Sequence, residues 1–273
     1  MAPTGAIWDF KTLFFKININ MGICKLCKKE KKLIEAHIIP KFMFKKMKDE
    51  SHSFYDVTYN LDTKETKSKK TQKEDYDKNI LCGDCDNGII GGIYEDYAKE
   101  ALYGENLNIE IAPKCENFIN PDDGAEYSIC KNIDYTKMKL FLLSLLWRAS
   151  ITDRPVFNEV NIGDKHEEII RKMIYEKTAP SETEYPIIIT SFMRTENKFE
   201  NLIAQPKRIR MKNGLNGYIF LIDSLQFMFL VNSSDHKLPE YVLKSTIKES
   251  GELTTLHLPK GSEIEFFKLI MEK

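Results

Sequence analysis

Four of the six cysteines fall in two identical spacings, Cys24-x-x-Cys27 and Cys82-x-x-Cys85, and one histidine, His37, stands ten residues after Cys27 in the stretch EAHIIPKF. A CxxC pair brings two thiolates within reach of one ion, and two such pairs supply the four soft ligands of a closed tetrahedral zinc site. Cys24, Cys27, Cys82 and Cys85 are therefore assigned to one structural zinc ion, without which the surrounding unit should lose most of its order. A redox role for one CxxC is the competing reading, but two matched pairs argue for metal. A disulfide framework belongs to short exported domains, and this chain is long and carries no export signal. Cys115 and Cys130 stand apart from the pairs and are expected to be ordinary reduced thiols.

An imidazole titrates near neutral pH and can take a proton from water. Asp86 directly follows the fourth cysteine, and Glu95 lies further along what reads as the same helix. Their carboxylate oxygens suit a hard cation such as magnesium or manganese. A base for water and a cation beside a developing oxyanion are the equipment of phosphodiester hydrolysis. Glu35 would share a strand face with His37 but lies about 7 Å further back, which makes it a weaker ligand. The plain alternative is a zinc ribbon whose histidine is structural or simply exposed.

A long insertion between two knuckles, with EAHIIPKF inside it, NILC before the second pair and CDNG followed by YEDYA after it, resembles the zinc-bearing branch of the HNH, or ββα-metal, endonucleases. The resemblance covers roughly a quarter of the chain. It implies a treble-clef zinc unit, a DNA substrate and a catalytic magnesium or manganese ion. His37 would be the general base, Asn79 the asparagine that positions the histidine's loop, and Asp86 the residue after the last cysteine. Proteins of this kind are often bacterial and tied to defence against phage or to mobile elements. Three departures stand beside these matches. The family usually has aspartate before the histidine, where this chain has Ala36. It usually has histidine where this chain has Asp86, and Asn79 stands closer to the second knuckle than usual. Those departures support a second reading, a zinc-stabilised module that binds nucleic acid or protein and has lost catalysis.

Charge is uneven along the chain. The formal net charge is -1, yet residues 22–80 hold 15 lysines against 10 acidic residues. A basic lobe on a nearly neutral protein fits a polyanion. Phosphate contacts are expected from Lys41, Lys45 and Lys46 after HIIP, and from Lys67, Lys69 and Lys70 in a polar insert acting as a flap. The cluster Lys207, Arg208, Arg210 and Lys212 either extends that surface or is a solvated edge. Arg148 sits in the apolar stretch MKLFLLSLLWRAS and needs a partner; a buried ion pair is the favoured reading over phosphate binding. His52, His166, His236 and His257 have no metal-like spacing and are read as structural or surface residues. GIIGGIY has the wrong spacing for a dinucleotide fingerprint.

These residues must be positioned by an α+β fold. Residues 1–21 read as a leader or extension that makes a poor signal peptide, with Met21 as an alternative start directly before the knuckle. Residues 22–105 read as the treble-clef unit, interrupted by the insert Asp62–Lys78, a loop or hairpin tip without apolar periodicity. GGIYEDYAKEALYG has helical spacing and a glycine stop at Gly104. Pro113 and NPDDG mark a boundary, beyond which 106–273 form a helix-plus-antiparallel-sheet domain of unread role that sets a target or protein partner. Its expected parts are an apolar helix at 136–150, a second helix with a capping box from Asp164 to Glu167, a strand in YPIIITSFM, and a hairpin turning at Asp223 and Ser224. No run is long enough for a membrane span, and a cytoplasmic protein is expected.

Overall fold

The computed structural model describes residues 20–60, 63–104, 112–211, 214–231 and 237–271. The expected leader, Lys212, His236 and the boundary at 105/106 fall outside these residues, apart from the last two residues of the leader.

A knuckle comes first. Strands β1 (Met21–Ile23) and β2 (Glu30–Lys32) pair antiparallel, and the turn between them carries Cys24 and Cys27. Lys28 closes that turn at a positive φ of 58°. Strand β3 (Ala36–His37) ends before Pro40, and a 3-10 turn follows at Lys41–Met47. The chain then runs out and back through β4 (Phe54–Tyr59) and β5 (Thr66–Thr71), an antiparallel hairpin exposed along nearly its whole length. Only then does β6 (Tyr76–Asp77) return to pair with β3, so the polar insert supplies a hairpin arm and a return strand.

From Asp84 to Glu95 the helix winds wide, with the N–H of Asp96 reaching back to the carbonyl of Gly91. Glycines make room for this i→i+5 ladder. A Cβ on Gly91 would stand 3.1 Å from the carbonyl oxygen of Asp86, and one on Gly92 would stand 3.2 Å from that of Asn87. The helix continues as α1 (Asp96–Tyr103) and stops at Gly104, which takes the left-handed conformation at φ 69°.

The NPDDG stretch is not a boundary but the turn of a second hairpin, between β7 (Lys114–Ile119) and β8 (Glu126–Lys131). Its register sets Cys115 opposite Cys130, and the two form a disulfide with Cα atoms 4.0 Å apart. The expectation of reduced thiols is thereby corrected: the spacing along the chain does not display a pairing that strand register creates.

Helix α2 (Tyr135–Ile151) is opened by Asp134, whose carboxylate accepts the Lys137 N–H at 3.0 Å. It is buried without a break from Met138 to Ala149, mostly by apolar side chains but with Lys139, Ser144 and Arg148 among them. In α3 (Asp164–Glu176) the expected capping box does not form. Gly163 takes the N-cap at φ 78° with no side-chain cap, and the Glu167 carboxylate instead accepts the Ser150 hydroxyl at 2.6 Å.

The rest of the chain contributes β9 (Ile187–Ser191), β10 (Lys207–Arg210), β11 (Asn216–Ile222), β12 (Leu225–Val231), α4 (Glu240–Ser245), β13 (Leu253–His257) and α5 (Ser262–Met271). Asp223 and Ser224 turn the β11–β12 hairpin with both φ angles positive, as a two-residue loop requires. With β7 and β8 these strands form a seven-stranded sheet in the order β10-β11-β12-β9-β13-β8-β7. The sheet is mixed, not wholly antiparallel as expected, because β13 runs parallel to β9. The chain crosses over through β10–β12 and α4 between those two strands, which a parallel neighbour demands.

One hydrophobic core spans both expected domains. Ala36, Ile38, Leu81 and Ile90 from the knuckle side pack in the same cluster as Leu142, Trp147, Phe220 and Ile247. Among the described residues no helix is long and apolar enough to cross a membrane.

Candidate metal centre and active site

The knuckle turn and the first turn of the wide helix bring Cys24, Cys27, Cys82 and Cys85 together, with their sulfurs all within 4.8 Å of one another. Three of the four are buried and none is in a disulfide. The Cys82 N–H donates to the Cys24 sulfur at 3.4 Å. A hydrogen bond from the Cys85 thiol holds Cys24 down at about 4, against burial, and the same bond keeps the Cys85 proton in place. The four cysteines lie close enough to hold one metal ion, and the sulfur set is that of a closed site.

Helix α3 grips this centre from outside. Arg171 donates to the Leu26 carbonyl at 2.6 Å, between the first two cysteines, while Glu168 takes both other faces of its guanidinium at 2.7 Å. The Lys25 ammonium bonds the carbonyl of Ile151 at the end of α2.

His37 lies on the β3–β6 pair, opposite Tyr76. Strand alternation fixes its neighbour's role: Ala36 points into the core, fully buried, opposite buried Asp77. Asp77 is itself engaged, accepting from the Thr152 hydroxyl at 2.7 Å and the Asn79 N–H at 2.8 Å. The side chain before His37 thus faces the core, and Ala36 fits that space.

The imidazole is partly buried. Burial lowers its pKa, Glu74 and Glu95 oppose that, and Arg148 and Lys41 reinforce it. Its Nε2 stands 3.9 Å from a carboxylate oxygen of Glu74, and Lys48 pairs with the other oxygen of that carboxylate. Beneath the histidine, Arg148 of α2 donates from Nη1 to the His37 carbonyl at 2.6 Å and stands 2.8 Å from Glu95 Oε1. Its Nε donates to the Ser144 carbonyl at 3.3 Å. Arg148 Nη2 is buried and has no hydrogen-bond partner among the described residues.

Asp86 and Glu95 are nine residues apart. In an α-helix that is two and a half turns, which would set them on opposite sides. The wide winding between them returns Glu95 toward the side of Asp86. Burial, helped by Glu95 and Cys24, pushes the Asp86 carboxyl up to about 6, and Arg148 opposes it.

Arg148 thus touches the His37 carbonyl and Glu95, and its charge also acts on Asp86. Asn79 does not join them: it is exposed, and its backbone N–H donates to the Asp77 carboxylate. Among the described residues, the four cysteines are the only group of three or more metal-ligating side chains gathered closely enough to hold an ion. Of the expected phosphate-binding lysines, Lys41 and Lys45 are exposed on the 3-10 turn and Lys69 on β5. Lys46 pairs with Asp223 at 2.9 Å in the β11–β12 turn, and Lys70 with Asp49 at 2.7 Å. Lys207 pairs with Glu159 at 3.1 Å on edge strand β10.

Glu74 and Lys48 were not singled out by the sequence reading. Lys48 lies before the β4–β5 hairpin and Glu74 after it, and the β3–β6 pairing that brings them to His37 leaves no apolar period to read. Compared with protein-family models, with curated proteins and with solved structures, the chain matches none.

Proposed function

We propose that the knuckle unit is a treble-clef zinc finger of HNH type and that the protein is a metal-dependent nuclease. The observation that carries this reading is the convergence at His37. A partly buried imidazole, lowered in pKa and so neutral at neutral pH, stands on a ββ pair above Arg148, which pairs with Glu95 of the wide helix and whose charge also acts on Asp86. A neutral imidazole is the form that accepts a proton from water. Arg148 fixes the backbone of that histidine through its carbonyl, a task the resemblance had given to Asn79. Zinc at the four cysteines would hold the frame. Asp86 and Glu95 offer two hard oxygen donors, which suits magnesium or manganese, since such ions commonly take one or two carboxylates and complete their shell with water and substrate phosphate. When bound, the ion would supply positive charge to the leaving oxygen.

A second reading has an observation of its own. Arg148 already supplies the positive partner of Glu95, and Ala36 offers no ligand. A binding module without catalysis would keep that arrangement. Plasmid cleavage separates the two. Purified full-length protein with added magnesium or manganese should nick supercoiled DNA, and His37→Ala should not. Equal inertness of both proteins, with the four-cysteine metal present, would favour the binding module.

A further inference from the structure

The β4–β5 hairpin carries an unexplained surface. Cross-strand pairing sets Tyr55, Val57 and Tyr59 on one face, opposite Lys70, Ser68 and Thr66. Strand alternation places these six side chains together and sends Asp56, Thr58, Lys67 and Lys69 to the other face. Tyr55 is 65 % exposed, Val57 58 % and Tyr59 41 %, although two-stranded ribbons in water gain little from bare aromatic rings. Their cross-strand neighbours are too short or too polar to shield them. Three large side chains bare on one short face make this hairpin a candidate interaction surface.

Charge and position indicate the occupant. Residues 41–73 hold nine lysines against five acidic residues. The hairpin also springs from the rim of the His37 site: its two stems meet where Lys48 pairs with Glu74, and Glu74 stands 3.9 Å from the imidazole. Lys70, held by Asp49, lies beside Tyr55 on the aromatic face. Tyrosines on β4 beside lysines on the paired β5, with Lys70 on the aromatic face and Lys67 and Lys69 on the other, are equipment for stacking bases while lysines meet the phosphates. A duplex hides the faces of its bases, so an aromatic face of this kind selects unpaired ones.

We propose that the Tyr55–Val57–Tyr59 face binds single-stranded nucleic acid, about two or three unpaired bases stacking on it, and leads that strand to His37. The part of this proposal that concerns delivery rests on the nuclease reading above; the binding does not. The shared chemistry is an unpaired base on a phosphate backbone, from DNA or RNA, and separate arms tell the two apart.

The test is fluorescence anisotropy with dye-labelled twelve-base DNA, the same sequence as RNA, and the DNA as a duplex. The protein is full-length, metal-loaded and carries His37→Ala so that nothing is cut. Tyr55→Ala with Tyr59→Ala should weaken binding to a single strand by tenfold or more, as loss of a stacking partner does. Duplex affinity should change less than about threefold. Tyr55→Phe with Tyr59→Phe, which keeps the rings, should bind like the parent, and circular dichroism should show the alanine variant folded. An alanine variant that binds single strands as tightly as the parent overturns the proposal, as does equal weakening for single strand and duplex. So does a parent dimer that becomes monomeric in the alanine variant with unchanged oligonucleotide affinity, because the face would then be a self-association surface. A parent that binds single strands through these tyrosines yet cuts nothing when His37 is restored leaves this proposal standing and removes the nuclease reading. Cleavage of duplex without single-strand binding does the reverse.

Discussion

The cysteine centre and the His37 site lie in the same small unit but are built in opposite ways. At the centre, four like ligands converge, three of them buried, with helix α3 donating to the backbone between them. At His37 the side chains differ in charge and come from four places: β3, the wide helix, α2 and the stem of the inserted hairpin. Glu95 pairs with a guanidinium and also acts electrostatically on His37, and Arg148 Nη2 has no hydrogen-bond partner among the described residues. A closed site of matched ligands stabilises a fold. A half-open site with mixed charges and an unmet donor is where a substrate can still change the free energy.

Removing metal from the cysteine centre should have the largest effect. Structural zinc sites contribute about 10–16 kcal/mol in apparent binding energy. A strong zinc chelator, or Cys24→Ala, should abolish cooperative unfolding of the knuckle side, seen by circular dichroism together with loss of one metal per chain. Retention of a full cooperative transition without metal would remove the distinction between the two sites.

Arg148→Met comes next, because it strands the Glu95 carboxylate and frees the His37 carbonyl. Breaking one partner of a buried pair costs about 3–5 kcal/mol. Urea unfolding should show that loss, and adding Glu95→Gln should recover part of it. Full additivity of the two changes would mean that the pair is not coupled.

Lys139 is a fully buried amine inside α2. Its ammonium nitrogen donates to the Tyr185 carbonyl at 2.8 Å, and burial brings its pKa from the ordinary 10.5 down to about 7. The folded value lies below the unfolded one, so the unfolded chain takes up the proton first as pH falls. Stability from this group is therefore full above the unfolded value and declines as pH drops from about 10.5 towards 7. Lys139→Met should flatten the slope of stability between pH 7 and 9 and raise stability at pH 7, on the order of a few kcal/mol.

His37 gives the smallest stability effect. Its folded pKa is also depressed, by burial first, so its contribution is present above the ordinary 6.5 and is lost as pH falls below that value. Equilibrium unfolding of His37→Gln should show a flatter acid limb than the wild type.

The two sites were also unequally legible in the sequence. The cysteine spacing is local chemistry, and Cys24, Cys27, Cys82 and Cys85 met as read. The same holds for elements with strong periods or turn signals: the apolar helix, the Gly104 stop and the Asp223–Ser224 hairpin. His37, Asp86 and Glu95 could be named from residue type, but what joins them could not. Arg148 reaches His37 across 111 residues, and Glu74 arrives through a strand two residues long. The wide helix that realigns Asp86 and Glu95 departs from the 3.6-residue period on which a sequence reading relies. The disulfide and the parallel strand pair escaped for a related reason, since register and crossover are properties of the assembled sheet.

The most direct measurement is the pH dependence of single-turnover oligonucleotide cleavage by the full-length protein with added manganese, wild type beside His37→Ala. With His37 as the base, the rate should rise with pH along a limb set by an imidazole below its ordinary range, and the variant should lose about 100-fold or more. A rate that is the same in both proteins across that range would contradict that role, because the proton would then be taken by some group other than His37.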